Sequence, residues 1–215
     1  MQFLEKNFNF GNMESLSTFK TLEDALIHFQ IKENSLNLFP NLENKHEVSP
    51  YLVAELEFNT TKLPYNVSEA ALCEMVIFPI LKEVWKHFME KLLLWSHRSI
   101  GKDAEMSGIP DYILAKRSPL GRVMDLPLLV MIEAKKDDFD GGWGQCIAQM
   151  VTAQGINNSK SEIYGIVTNG NAWEIGKLDS NAIFSRHNAS FSLQDIPLLY
   201  NMLYNLFELC EAKVA

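Results

Sequence analysis

Asp111, Glu133 and Lys135 are the residues whose types and placement could do chemistry. Asp111 lies in Gly108-Ile109-Pro110-Asp111-Tyr112, where a proline interrupts the backbone and a strand pattern begins. Glu133 and Lys135 lie in Ile132-Glu133-Ala134-Lys135, closing the most apolar strand pattern of the chain. Side chains alternate along a strand, so Glu133 and Lys135 point to one face and Ala134 to the other. Alone, such a pair could be a structural ion pair. Asp111 changes its meaning. If the two strands are neighbours, two carboxylates converge on a rigid sheet and form a hard oxygen site suited to Mg2+ or Mn2+. Such an ion holds a phosphate oxygen and acidifies a bound water. Lys135 would orient that water or offset the charge that develops on phosphorus. Phosphodiester hydrolysis needs those parts.

The elements that must position these residues follow from periodicity and punctuation. Leu22, Ala25, Leu26 and Phe29 recur at helical spacing behind Thr21 and Asp24, which suit a helix start. Residues 34–50 are Asn-rich with Pro40 and Pro50 and read as loop; residues 51–58 alternate loosely and read as a strand. Ser68 is a natural N-cap with Glu69 in the first turn, and Leu72, Val76, Ile77, Ile80, Leu81, Val84, Trp85 and Phe88 give the helix a broad apolar face. Pro79 is expected to kink or restart that helix. Strands are expected at residues 92–97, 109–115 and 126–133, the last apolar without alternation, as in a central strand covered on both faces. Gly141-Gly142-Trp143-Gly144 reads as a break, followed by a helix over residues 145–153. Residues 163–168 and 172–178 form a hairpin around Asn169-Gly170-Asn171, because Asn-Gly tolerates positive φ. Ser192 starts a final amphipathic helix. The expectation is an α/β domain over residues 61–215 with a central mixed sheet flanked by helices. Residues 1–60 are expected to be an N-terminal extension packed on it.

Bulk properties exclude several classes. The chain has 215 residues, 47% hydrophobic and 21% charged, enough for one full core and ordinary for a globular protein. No apolar run approaches the ~18–20 residues needed to cross a bilayer. Residues 1–6 lack the basic start and apolar stretch of a secretory signal, so a cytoplasmic location away from membranes is expected. Cys73, Cys146 and Cys210 are too few and too widely spaced for a disulfide framework or a zinc motif, and the five histidines show no ligand spacing. No phosphate-cradling Gly-x-x-x-x-Gly-Lys-Ser/Thr loop occurs. The net charge of −8 opposes nucleic-acid binding, yet its distribution is uneven. Residues 1–60 hold four Lys/Arg against nine Asp/Glu, whereas residues 82–136 hold ten against seven. The stretch bearing the chemistry is the basic part of an acidic chain.

The order of an acidic helix, Pro110-Asp111 at one strand's start and Glu133-Ala134-Lys135 at the end of the next resembles the PD-(D/E)xK nuclease superfamily. In detail the chain resembles the branch related to the N-terminal nuclease domain of type I restriction enzyme motor subunits, found also as stand-alone proteins. The supporting residues are Glu69-Ala70, Glu74-Met75-Val76-Ile77-Phe78-Pro79, Val130 to Asp137, Gln145 and Gln149, and Tyr164 to Gly170 with Trp173. The likeness spans residues 66–208. It implies a restriction-endonuclease-like αβββαβ core and Mg2+- or Mn2+-dependent cleavage of nucleic acid, DNA foremost, in a restriction, repair or mobile-element setting. Asp111 and Glu133 would ligate the metal and Lys135 would be the catalytic lysine. A helix glutamate often joins the metal shell; Glu69 and Glu74 are both candidates, about 140° apart on an ideal helix, and Glu69 is favoured. The branch also places a glutamine from the following helix at the site, here Gln149 or Gln145. Trp143 could stack on a base, and His97 and Arg98 could reach phosphate. A homodimer would suit cutting both strands of a duplex. The competing expectation is a nuclease-fold binding or regulatory module with little or no hydrolysis, favoured by the acidic charge.

Overall fold

The computed structural model describes residues 18–101, 107–158 and 161–214. The start of the N-terminal extension, with the stretch read for a secretory signal, lies outside the described residues.

The described chain is an α/β fold built on a mixed sheet flanked by helices. In chain order its elements are α1 (Leu22–Phe29), β1 (Lys32–Leu36), α2 (Pro50–Lys62), α3 (Glu69–Leu72), a π-helical turn (Cys73–Ile77), α4 (Phe78–Trp85), β2 (Leu92–Ser96), β3 (Ile100–Gly101), β4 (Ser107–Gly108), β5 (Tyr112–Ser118), β6 (Gly121–Ala134), α5 (Phe139–Ile156), β7 (Ile163–Thr168), β8 (Ala172–Leu178), β9 (Ile183–His187), β10 (Phe191–Ser192), a 3-10 turn (Leu193–Asp195) and α6 (Ile196–Ala212). The main sheet has eight strands in the order β1-β9-β8-β7-β6-β5-β2, with β10 on β8. β2, β5 and β6 form an antiparallel meander; α5 then crosses over to bring β7 parallel to β6. That crossover puts β6 in the middle of the sheet, which explains its unbroken apolar run.

The sheet divides two cores, and strand alternation sorts residues between them. Val130, Ile132, Tyr112 and Leu114 belong to the core under α2, α4 and α6. Met131, Ile113 and Ala115 belong to the other, with Trp143, Cys146 and Ile147 of α5 and Leu22 and Phe29 of α1. Glu133 and Lys135 therefore face α5.

Several elements depart from sequence expectation. Residues 51–58 form no strand; they belong to helix α2, where the Ser49 side chain accepts from Leu52 N–H and Pro50 occupies the first turn. Ser-Pro is a strong helix start, and Leu52 and Leu56, buried four residues apart, are the helical signal that loose alternation concealed. The glycines at 141, 142 and 144 do not break the chain. They lie inside α5, which is capped by Asp138 and begins six residues earlier than expected, at Phe139. Their role is close approach: a Cβ on Gly144 would sit 2.5 Å from the Thr21 carbonyl, and one on Gly142 would sit 2.7 Å from Val167 and 2.8 Å from the Lys135 stem. β1 overlaps the start of the stretch expected as loop, and β9 was not anticipated; they pair in parallel at the sheet edge, where β1 is exposed along its length and carries no burial pattern. Pro79 falls in the first turn of α4, as a restart requires, but the irregularity before it is a π turn in which Phe78 N–H donates to the Cys73 carbonyl. The expected hairpin (β7–β8) and the Thr21 and Ser68 caps form as read. The described part of the N-terminal extension shares both cores: α1 packs on α5, and α2 packs on the π turn and α4. Among the described residues no helix is long and apolar enough to cross a membrane.

Candidate active site

The register of the meander builds the site. Ser96 pairs with Tyr112, and Tyr112 with Ile132, as the last bonded positions of β2, β5 and β6. Beyond these positions, His97 after β2 and Asp111 before β5 come together beside the end of β6, where the Glu133 side chain reaches Gln149 of α5. His97 N–H donates to the Asp111 carbonyl at 2.9 Å, extending the ladder.

Each is then tied by its own contacts. Asp111 accepts through Oδ2 from Ala134 N–H at 2.7 Å, fixing its carboxylate to the end of β6. Its Oδ1 lies 3.3 Å from His97 Nε2. Glu133 is 6% exposed, and both its oxygens are engaged. Oε1 lies 3.0 Å from Lys135 Nζ, and Oε2 accepts from Gln149 Nε2 at 2.8 Å. Lys135 Nζ also lies 3.9 Å from Glu69 Oε2, so the ammonium bridges the buried and the exposed carboxylate. Gln149 is buried, and its Oε1 has no hydrogen-bond partner.

Electrostatics follow from burial. Desolvation, then repulsion by Asp111, pushes the Glu133 carboxyl up to about 7, against the pull of Lys135 and Gln149. Asp111 is also raised, by burial first, although Ala134 N–H, His97 and Lys135 partly offset it. Burial opposes the charge on Lys135, but Glu133, Glu69 and Asp111 outweigh it and hold the ammonium above its ordinary range. Two adjacent carboxyls with raised affinity for a proton form a site that a divalent cation would relieve.

The sequence candidates sort clearly. Asp111, Glu133, Lys135, Glu69 and Gln149 gather at one end of the sheet, whereas Glu74 is an exposed residue of the π turn. Trp143 does not reach a base. It is fully buried, donates to Glu174 Oε2 at 2.7 Å and packs on Phe184 with ring centroids 5.0 Å apart. Arg98 lies over the Trp95 ring, 5.6 Å from its centroid. Sequence reasoning assigned no part to Cys73, which burial marks as core; its Sγ lies within 4.8 Å of ligand atoms of both His97 and Asp111. Only the fold brings those three together. Comparison with known protein families finds no match for this chain, and comparison with curated proteins finds none.

Proposed function

We propose that the chain is a metal-dependent nuclease of the PD-(D/E)xK kind, hydrolysing phosphodiester bonds of nucleic acid, DNA in the first instance. The observation that carries this reading is Glu133. A carboxylate buried at the end of a central strand is held by Lys135 and Gln149 and set beside Asp111 on the neighbouring strand. Supporting it, a helix precedes the β2-β5-β6 meander and α5 and β7 follow it, an order compatible with the αβββαβ core that the resemblance implies. The donor set fits Mg2+ or Mn2+: Asp111 and Glu133 offer carboxylate oxygens, Glu69 stands at the exposed rim, and the partnerless Gln149 Oε1 is a further oxygen. When bound, the ion would hold a phosphate oxygen and acidify the attacking water.

The chain's own residues supply the rest. Ala134 N–H fixes the Asp111 carboxylate, and Gln149 fixes that of Glu133, so neither needs to reorganise. Lys135, 3.0 Å from Glu133 Oε1, would offer its ammonium to the water or the phosphate oxygens. Its raised proton affinity keeps it charged at neutral pH, suiting it to stabilise charge rather than to accept a proton. Gly142 leaves the space that the Lys135 stem occupies, since a Cβ there would sit 2.8 Å from the Lys135 Cγ.

The test is calorimetric titration of Mn2+ into wild type and Asp111→Ala, followed by a plasmid-nicking assay. The proposal expects binding lost in the variant and nicking by wild type alone. Undiminished binding in Asp111→Ala would remove the site. A binding module without hydrolysis is the second reading, favoured by the net charge of −8 and by Lys135 being engaged by two carboxylates. It predicts retained nucleic-acid binding with no cleavage at any divalent-ion concentration.

A further inference from the structure

Cys73, His97 and Asp111 come from three separate elements: the π turn, the residue after β2 and the residue before β5. Their Sγ, imidazole nitrogen and carboxylate oxygen all lie within 4.8 Å of one another. We propose that this trio is a second metal site, for a thiophilic divalent cation of the zinc class, sharing Asp111 with the hydrolytic site.

The set has the chemistry of such a site. Thiolate, imidazole and carboxylate together favour Zn2+, Co2+ or Cd2+ over the hard ions that Asp111 and Glu133 suit, and three protein ligands leave one tetrahedral position for water. The imidazole is prepared for the task. Its Nδ1 lies 2.8 Å from Ser96 Oγ, a hydroxyl that would accept from Nδ1–H once an ion takes the Nε2 lone pair beside Asp111. His97 also takes a left-handed backbone conformation, φ 48°, which turns the chain between β2 and β3. Cys73 is held from behind, its carbonyl accepting from Tyr112 Oη at 3.1 Å and from Phe78 N–H. Ligands around a tetrahedral zinc ion lie roughly 3.3–3.8 Å apart, given bonds of about 2.0–2.3 Å. His97 Nε2 and Asp111 Oδ1 already stand 3.3 Å apart and Cys73 Sγ lies within 4.8 Å, so at most about 1–1.5 Å of movement closes the set.

The functional consequence rests on the hydrolytic reading: a zinc-class ion here takes Asp111 out of the magnesium site and inhibits cleavage. The site itself does not rest on it. The test is Co2+ titration of the full chain followed by absorbance. A near-ultraviolet thiolate-to-cobalt band saturating at one ion per chain, displaced by Zn2+, is expected. Cys73→Ser should lose the band, and His97→Ala, altering only a half-exposed side chain, should weaken Co2+ binding at least about tenfold. Absence of the band in wild type, or a band of undiminished affinity in either variant, overturns the proposal. Because the readout is spectroscopic, failure of the nuclease reading would leave this result standing, and failure of the cobalt band would leave magnesium-dependent cleavage untouched.

Discussion

Replacing Glu133 by Gln removes a charge that folding has to bury while keeping the side chain's size and one carbonyl oxygen. In the folded chain the Glu133 carboxyl is raised from 4.5 to about 7 by burial first and by Asp111 second. That difference corresponds to about 3 kcal/mol, at about 1.4 kcal/mol per tenfold change in proton affinity. The sign follows from proton binding. Between pH 4.5 and about 7 the folded state holds the proton and the unfolded state has released it, so wild-type stability falls as pH rises through that window. Above it the full penalty is present; below it there is none. Glu133→Gln lacks this dependence, although it deprives Lys135 of its 3.0 Å partner, which offsets part of the gain. The expected result at pH 8 is a variant more stable than wild type by about 1–3 kcal/mol, converging with it near pH 4.5. For a chain of this size that is a rise in Tm of roughly 2–12 °C. Thermal unfolding of both proteins from pH 4.5 to 8.5, without divalent ions, reads it directly. A stability difference independent of pH, or a variant that becomes relatively weaker as pH rises, would refute the electrostatic account of the site.

Other outcomes follow from the same geometry. Gln149→Ala frees Glu133 Oε2 from its 2.8 Å bond and should weaken divalent-ion affinity or cleavage by about 10–100-fold with little change in fold, as measured by calorimetry and circular dichroism. Gly142→Ala places a methyl 2.7 Å from Val167 and 2.8 Å from the Lys135 stem, so it should cost about 1–3 kcal/mol in urea unfolding and depress any activity through Lys135. Ser49→Ala removes the cap of α2 and should cost about 1 kcal/mol, with activity unchanged.

The gathering of the candidate residues was more legible than parts of the scaffold, for physical reasons. Asp111, Glu133 and Lys135 stand out because a buried apolar strand ending in charge conflicts with its surroundings, a conflict readable in one dimension. Gln149 and Glu69 needed the resemblance, because a polar residue on an amphipathic helix conflicts with nothing. The glycines before Gln145 misled because their reason is tertiary: α5 must approach Thr21 and Val167 closely, and local propensity knows nothing of either. The parallel β1–β9 edge left no trace, since β1 is exposed and its pairing is remote in sequence. The grouping of Cys73 and His97 with Asp111 was beyond spacing rules for the same reason.

The central claim is tested most directly by cleavage of supercoiled plasmid and of labelled single- and double-stranded oligonucleotides in Mg2+ and in Mn2+, comparing wild type with Lys135→Ala after both are shown to be equally folded. The account predicts metal-dependent cleavage of at least one substrate by wild type, abolished by chelation and by the loss of Lys135. Cleavage of none by wild type, or undiminished cleavage by Lys135→Ala, would contradict it.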